Sequence, residues 1–391
     1  MQIIGLMSGT SVDSIDAALV EVQGQGYDLT VQVLASTFLD YPEALRSQIL
    51  QVCGGQPLPV AVLADLDDQI AHQFAIAAQT LIAAHGPADL IASHGQTIFH
   101  RPCSASQGSP LPLARSIQLG RGAVIAGLTD CPTVSNFRAA DIAAGGEGAP
   151  LVPPVDLALL SHDHHYRCVQ NIGGIGNVTA LPPRSAQEAC QGAAMAAMGW
   201  DTGPGNSLID IAVHHFSQGD LAFDRDGQWS AQGTICEPLL ARWLTHPYFQ
   251  QKPPKSTGRE TFGWDFFQRC MQQAAADDLS AADVLATLTE LTVVSIAQSY
   301  EQFLHCLPDE VLICGGGSRN RYLMTRLQQQ WPQIPVKPTD AAGIPSDLKE
   351  AIAFAVLGFW HHQGWPGNLT AVTGAQRPAV LGEMAWPQKP R

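Results

Sequence analysis

Ile3-Ile4-Gly5-Leu6-Met7-Ser8-Gly9-Thr10-Ser11-Val12-Asp13-Ser14-Ile15-Asp16 is the stretch whose reading decides the fold. An apolar run enters a turn of Gly, Ser, Thr and Asp, and a second apolar run, 17–22, leaves it. The pattern predicts a β-hairpin. Its turn offers backbone N–H groups and three hydroxyls, those of Ser8, Thr10 and Ser11. Small residues let a ligand approach the backbone, and successive N–H groups form a nest for phosphate oxygens. No Gly-Lys-Ser/Thr follows, so this is not a Walker A loop. An ordinary polar hairpin turn has the same composition, and the stretch alone leaves both readings open.

Residues 166–181 repeat the plan: strand, Gly-rich turn (Asn171-Ile172-Gly173-Gly174-Ile175-Gly176), strand. Two such hairpins, each opening a long α/β stretch, predict two α/β domains whose turns clamp a nucleotide's phosphates. Between them, 29–38 reads as a third strand. Residues 60–84 read as a helix with Leu63, Leu66, Ile70, Phe74, Ala77 and Leu81 on one face. Asp89-Leu90-Ile91-Ala92 reads as a short buried strand. It delivers Ser93-His94-Gly95-Gln96-Thr97 at its C-terminal end, where open α/β sheets bind ligands. Residues 102–112 read as an exposed loop, and 124–126 and 133–134 as strands. Residues 137–153 hold too many glycines for a helix. With Arg138, Asp141 and Glu147 they suit a substrate loop, a plain linker being the alternative.

Residues 185–194 read as a surface loop. Asp201 sits at a strand end before Thr202-Gly203-Pro204-Gly205-Asn206, and the helix predicted from Ser207 favours anions at its N-terminus. Asp is equally common as a cap or turn residue. Residues 253–262 form a polar loop with two cations and Glu260, and 285–304 an amphipathic helix. The strand 310–314 runs into Gly315-Gly316-Gly317, leaving room for a flat adenine against bare backbone. The G-x-G-x-x-G spacing of a Rossmann fingerprint is absent. Ser346 reads as the cap of a last helix with Glu350 in its first turn. His162-Asp163-His164-His165 could bind a metal, but such surface turns mostly do not, and no metal site is assigned.

With 391 residues and 46% apolar content, the chain can hold two domains, each with a core. Charged residues make up only 14%, below the usual quarter. A formal charge of -14 argues against nucleic acid and against an anionic membrane surface, though not against a nucleotide. Met1-Gln2 runs straight into a strand with no basic region, so no signal peptide is expected. No apolar run approaches the roughly 20 residues of a membrane span. The nine cysteines are scattered without a Cys-x-x-Cys pair, as in a reduced, cytoplasmic protein.

Taken together, these motifs resemble the anhydro-N-acetylmuramic acid kinases, of the sugar kinase, Hsp70 and actin superfamily. The matching stretches are Gly5-Leu6-Met7-Ser8-Gly9-Thr10-Ser11, Ser93-His94-Gly95-Gln96-Thr97, Phe137-Arg138 with 141–153, and Asn171-Ile172-Gly173-Gly174. Asp201-Thr202-Gly203-Pro204-Gly205-Asn206, Pro254-Lys255-Ser256-Thr257-Gly258-Arg259-Glu260 and Cys314-Gly315-Gly316-Gly317 complete the set, in the family's order. Position 14 is Ser where the family usually has Gly, and position 147 is Glu where Gln is usual.

The resemblance implies two RNase H-like α/β domains with an interdomain cleft. The first is residues 1–135 with the returning segment 346–391; the second is 136–345. It implies ATP with Mg²⁺, the phosphates held by Gly9, Thr10, Ser11, Val12, Asp13, Ser14, Ile15 and Asp16 and faced by Gly173 and Gly174. Gly315, Gly316 and Gly317 flank the adenosine. His94, Gln96, Thr97, Arg138, Asp141 and Glu350 meet the sugar, and Asp201 is the catalytic base. The reaction implied opens the 1,6-anhydro ring with water and phosphorylates O6, giving N-acetylmuramic acid 6-phosphate and ADP in peptidoglycan recycling. A homodimer follows from the resemblance alone. Two other readings stay open. One is an ordinary sugar kinase in which Asp201 or Asp141 deprotonates a free hydroxyl. The other is a nucleotide-driven clamp or filament protein on the same fold.

Overall fold

The computed structural model describes residues 1–101, 113–185 and 197–387; the loop expected at 102–112, and all but the first residue of that at 185–194, lie outside them. The chain forms two compact units, Met1–Leu159 with Leu348–Arg391, and Leu160–Asp347.

The first unit is built on the predicted hairpin. Strands β1 (Gln2–Ser8), β2 (Ser14–Gln25) and β3 (Asp28–Asp40) pair antiparallel in sequence. On the other side of β1 lie β4 (Leu90–Arg101) and then β6 (Thr133–Ser135), both parallel to it, while β5 (Arg115–Leu119) pairs with β4. The short strand Glu383–Ala385 closes the far edge against β6. Ile3, Ile4 and Leu6 have no exposed surface, as a central strand covered on both faces requires. Helix Val60–His85 packs Ile70, Phe74 and Leu81 into the cluster around Ile4 and Leu6. Each such side chain contributes about 1.5–3 kcal/mol on burial. Helix Lys349–Gln363 also lies against β1: a Cβ on Gly5 would sit 1.9 Å from Ala351 O, so only Gly admits that helix.

The second unit repeats the plan. Strands β7 (Arg167–Ile172), β8 (Ile175–Leu181) and β9 (Met198–Pro204) are antiparallel neighbours, and β10 (Glu310–Cys314) and β11 (Val336–Pro338) continue parallel to β7. The second sheet runs third-second-first-fourth-fifth in its own strand order, and the first runs β3-β2-β1-β4-β6, the same order once β5, a side branch on β4, is set aside; this is the arrangement of an RNase H-like domain. The echo seen in two turns is thus an echo of two whole sheets. Helix Ala281–Phe303 begins in a capping box between Ser280 and Asp283 and buries Leu285, Leu288, Leu291 and Ile296. Contrary to the sequence expectation, it is long and apolar enough to cross a membrane by length and composition. Most of it is buried inside this unit.

Several local readings change. Residues 124–126 lie in a helix, Gly122–Thr129, since periodicity cannot type so short an apolar run. The stretch 137–153 opens with a helix, Phe137–Ala143, because its glycines begin only at 145. Ser346 does not cap the last helix. Its N–H donates to Asp340 Oδ2 (3.2 Å) and its carbonyl accepts from Gly315 N (3.2 Å), which ties it to a preceding turn. The first unit continues past the expected boundary at 135 to Leu159. Asp141 is bonded to Asn368 and Thr373, and Asp156 pairs with Lys349, so 136–159 stays with the returning segment.

Candidate active site

In the first unit the turn 9–13 is pinned from beneath. Val12 takes the left-handed region (φ 56°), uncommon for a β-branched residue, with its side chain in the core and its N–H on Gly9 O (3.3 Å). Arg46 donates from Nε to Val12 O (3.0 Å) and from Nη2 to Asp13 Oδ1 (3.0 Å). Val12 and Ile15 bury their side chains, so only their backbone is available to a ligand. Thr10 and Asp13 are exposed, Gly9 and Ser11 half-buried. Ser14 begins β2, is not among the left-handed residues, and donates to Asp16 Oδ1 (2.8 Å).

The segment Ser93 to Thr97 lies within β4 rather than beyond its end. Gly95 (φ 75°) sits where the register against β1 shifts: Leu6 faces Ser93, but Ser8 faces Gln96. This β-bulge re-aims the side chains that follow it. Gln96 has no exposed surface and turns inward, away from the sugar contact expected of it. Thr97 is half-buried, and its Oγ1 accepts from Gln118 Nε2 (3.1 Å). His94 is buried against Phe354 (ring centroids 4.6 Å), with Nε2 accepting from Arg138 Nη2 at 2.8 Å. Burial first, and then the Arg138 charge, hold its pKa well below the usual value, so the ring is neutral. Arg138 also donates to Gly148 O (2.7 Å). Glu350 is half-buried in the first turn of helix Lys349–Gln363, its pKa raised by burial, with Lys349 and Arg138 opposing.

Asp141 is placed differently from the sequence reading. It has no exposed surface, and its carboxylate accepts from Gly148 N (2.8 Å), Asn368 Nδ2 (2.7 Å) and Thr373 Oγ1 (2.7 Å). It clips the 145–148 loop to the returning segment and does not face solvent.

In the second unit the Gly173-Gly174 turn joins β7 to β8. Gly173 O accepts from Asn206 N (2.8 Å), and Gly174 O from Gly205 N (2.9 Å) and Ser207 N (3.1 Å). The N–H groups that lead into helix Ser207–Phe216, through Ser207, are therefore taken by backbone carbonyls of this turn. Of the three glycines after β10, a Cβ on Gly315 would lie 2.4 Å from Asn171 Oδ1 and one on Gly317 2.4 Å from Ile172 Cγ2. Those two serve packing on β7; Gly316 is the exposed one.

Asp201 lies in the middle of β9 rather than at its end. Its Oδ2 accepts from Thr257 N (2.9 Å), its carbonyl from Tyr248 OH (2.7 Å), and its N–H donates to Lys255 O (3.1 Å). The loop expected at 253–262 thus cradles it. Lys255, which the sequence reading did not single out, is buried with Nζ 4.7 Å from the Tyr248 ring centre and 4.8 Å from that of Phe303. Burial brings its pKa down to about 8, with Asp201 pulling it back up. The sequence signal was a lysine in a polar loop; of its aromatic neighbours Tyr248 is close in the chain, but Phe303 comes from a different element. Among the described residues no cluster of three potential metal ligands occurs, and His162 Nδ1 accepts from the N–H groups of His164 and His165 in its own turn.

A family model described as anhydro-N-acetylmuramic acid kinase matches residues 1–387. Relatives of that name include one from Acaryochloris marina, 58% identical over 98% of this chain and 99% of the relative, and one from Trichormus variabilis, 54% identical over 98% and 96%. Among solved structures, the activator of 2-hydroxyisocaproyl-CoA dehydratase from Clostridium difficile, with bound ADPNP, matches at TM-score 0.46 and 10% identity over 93% of this chain and 96% of that one. That likeness is too loose to inform the site.

Proposed function

This chain belongs to the anhydro-N-acetylmuramic acid kinase family and is a kinase; we propose that it uses ATP to convert anhydro-N-acetylmuramic acid and water to N-acetylmuramic acid 6-phosphate, in peptidoglycan recycling. The substrate sets the chemistry. Its O6 is bound to C1, so there is no free 6-hydroxyl. A water oxygen bonds to C1, its proton goes to Asp201, the C1–O6 bond breaks, and O6 takes the γ-phosphoryl group while ADP leaves. A carboxylate can orient that water, accept its proton and stabilise positive charge at C1. The observation that carries the assignment is the cradle of Asp201: Thr257 N–H fixes Oδ2, and Tyr248 and Lys255 hold the backbone around it. Asp141, the competing base, is sealed under three donors, which weighs against the free-hydroxyl reading that employs it.

The turn 9–13, with Ser14 to Asp16, takes the phosphates. A Cβ on Gly9 would meet nothing nearer than Ser11 Oγ at 3.9 Å, so there is open space over the backbone. In the second unit Gly173 and Gly174 are assigned to phosphate oxygens, and Gly316, flanked by Gly315 and Gly317, to the adenosine. Mg²⁺ suits the half-buried Asp16 carboxylate, since it takes one or two carboxylates and keeps several waters. It would neutralise charge on the phosphate oxygens. His94, Thr97, Arg138 and Glu350 are assigned to the sugar side. Cationic Arg138 offers it a charge, and neutral His94 holds the Arg138 guanidinium through Nε2. A cytoplasmic homodimer, without nucleic acid or membrane, completes the proposal.

The test is ADP release with anhydro-N-acetylmuramic acid, with N-acetylmuramic acid and with no sugar. Release only with the anhydro sugar is expected. In ¹⁸O-water the label should enter the C1 hydroxyl and not the transferred phosphoryl group. Release without sugar would favour the clamp reading instead.

A further inference from the structure

We propose that Gln96 is a positioning residue for the phosphate turn, although it lies in the strand segment assigned to the sugar. Its amide is fully buried, and each polar atom is engaged inside the first unit. Oε1 accepts from Ser8 Oγ (2.8 Å) and from Tyr41 OH (3.2 Å). Nε2 donates to Gly9 O (3.2 Å) and to Thr97 O (3.2 Å). Ser8 Oγ also lies 3.0 Å from Ser14 O. One side chain thus grips the last residue of β1, the first residue of the turn and, through Ser8, the neighbourhood of the first residue of β2.

The physical consequence is directional. A peptide group has one orientation, so a donor that captures Gly9 O also fixes where the following N–H points. Arg46 does the same at the other end of the turn through Val12 O. With both carbonyls held, Thr10 and Ser11 are presented outward in one arrangement, and phosphate binding need not order the turn itself. The β-bulge at Gly95 makes this possible. Without the extra residue in β4, Gly95 would stand opposite Ser8 and Gln96 would point to the other face of the strand. The same strand then presents His94 to Arg138 and Gln96 to the turn. It links the two ligand sides of this unit through one backbone segment.

The inference rests on the reading that the turn takes phosphates, and the test separates the two. Gln96→Met keeps the length and removes every polar contact; Ser8 retains Ser14 O as a partner. ATP, ADP and adenosine are titrated calorimetrically against the full chain, and KM is measured for ATP and for the sugar. Kd and KM for ATP should rise by about tenfold or more, as loss of several buried hydrogen bonds implies. Adenosine affinity and the sugar KM should stay within about twofold. Tyr41→Phe removes one donor to Oε1 and should give a smaller shift of the same kind; it carries the test if Gln96→Met does not fold. A sugar KM that rises while ATP is unmoved would overturn the proposal and make Gln96 a sugar contact. Equal losses for ATP and adenosine would also overturn it. Arg46 grips the turn independently of Gln96, so Arg46→Met, which loses that grip, serves as the control. If it weakens ATP and Gln96→Met does not, the phosphate reading stands and the Gln96 proposal falls. If neither variant weakens ATP, the phosphate reading falls.

Discussion

The turns 9–13 and 173–174 occupy the same place in two sheets of the same strand order, yet they are held by opposite means. The first is longer, includes a left-handed valine, and is gripped by side chains: Gln96, Arg46 and Ser8. The second is two glycines whose carbonyls are stapled to the start of helix Ser207–Phe216. A side-chain grip leaves backbone groups of the turn to face a ligand. A backbone staple takes up the carbonyls of the turn and leaves little freedom there. The third strands differ as well. In β3 half-buried residues alternate with exposed ones, as on a surface strand, whereas β9 carries Asp201 in a cradle built from a distant loop. The five-strand order common to the two sheets has been given two chemistries by the residues that support it.

The largest effect should come from breaking the chemistry assigned to β9. Asp201→Asn should keep affinity for ATP and sugar while kcat falls by at least about a hundredfold, the low end for a general base. Steady-state kinetics with separate binding titrations would check this. Near-normal kcat in the folded variant would remove Asp201 from the role.

Next in size is the contrast between staple and grip. A Cβ on Gly205 would lie 2.3 Å from Gly173 O, whereas one on Gly9 would touch only Ser11 Oγ at 3.9 Å. Gly205→Ala should therefore cost about 1–3 kcal/mol in denaturant unfolding. Gly9→Ala should stay within about 0.5 kcal/mol. Equal costs at the two sites would erase the distinction.

A pH-dependent effect sharpens the cradle. Lys255 has a folded pKa of about 8 against an ordinary 10.5, lowered by burial. Between these values the unfolded chain holds a proton that the folded chain has released, so this group's contribution to stability rises with pH across the window. Below about pH 8 the contribution is flat. The stability of the wild type relative to Lys255→Met should therefore grow from pH 8 to pH 10 in unfolding titrations. A constant difference would mean that the ammonium group is not desolvated.

The smallest effect concerns Ser14, where the family usually has Gly. Because Ser14 starts a strand outside the left-handed region and donates to Asp16, Ser14→Gly should lower stability by roughly 0.5–1 kcal/mol. A rise in Tm would show strain at position 14. The strained position in the turn is Val12, which composition did not flag.

Periodicity and turn composition alone determined both hairpins, helix Val60–His85, strand β10 and the repeat of one plan in two halves. Those features depend on neighbours a few residues apart, which a linear reading can see. The resemblance pointed to Asp201 and to the turn 9–16. Only the tertiary structure decided where the nominated side chains went. A bulge at Gly95 turned Gln96 toward Ser8, 88 residues away. The returning segment sealed Asp141 by bringing Asn368 to it from 227 residues away. Folding also brought Phe303, from the end of helix Ala281–Phe303, onto the ammonium group of Lys255. A polar residue in a loop or strand has the same local sequence whether it faces a ligand or a buried donor. The difference lies in partners that only long-range packing supplies, because a buried polar group must find its hydrogen bonds wherever the fold brings them.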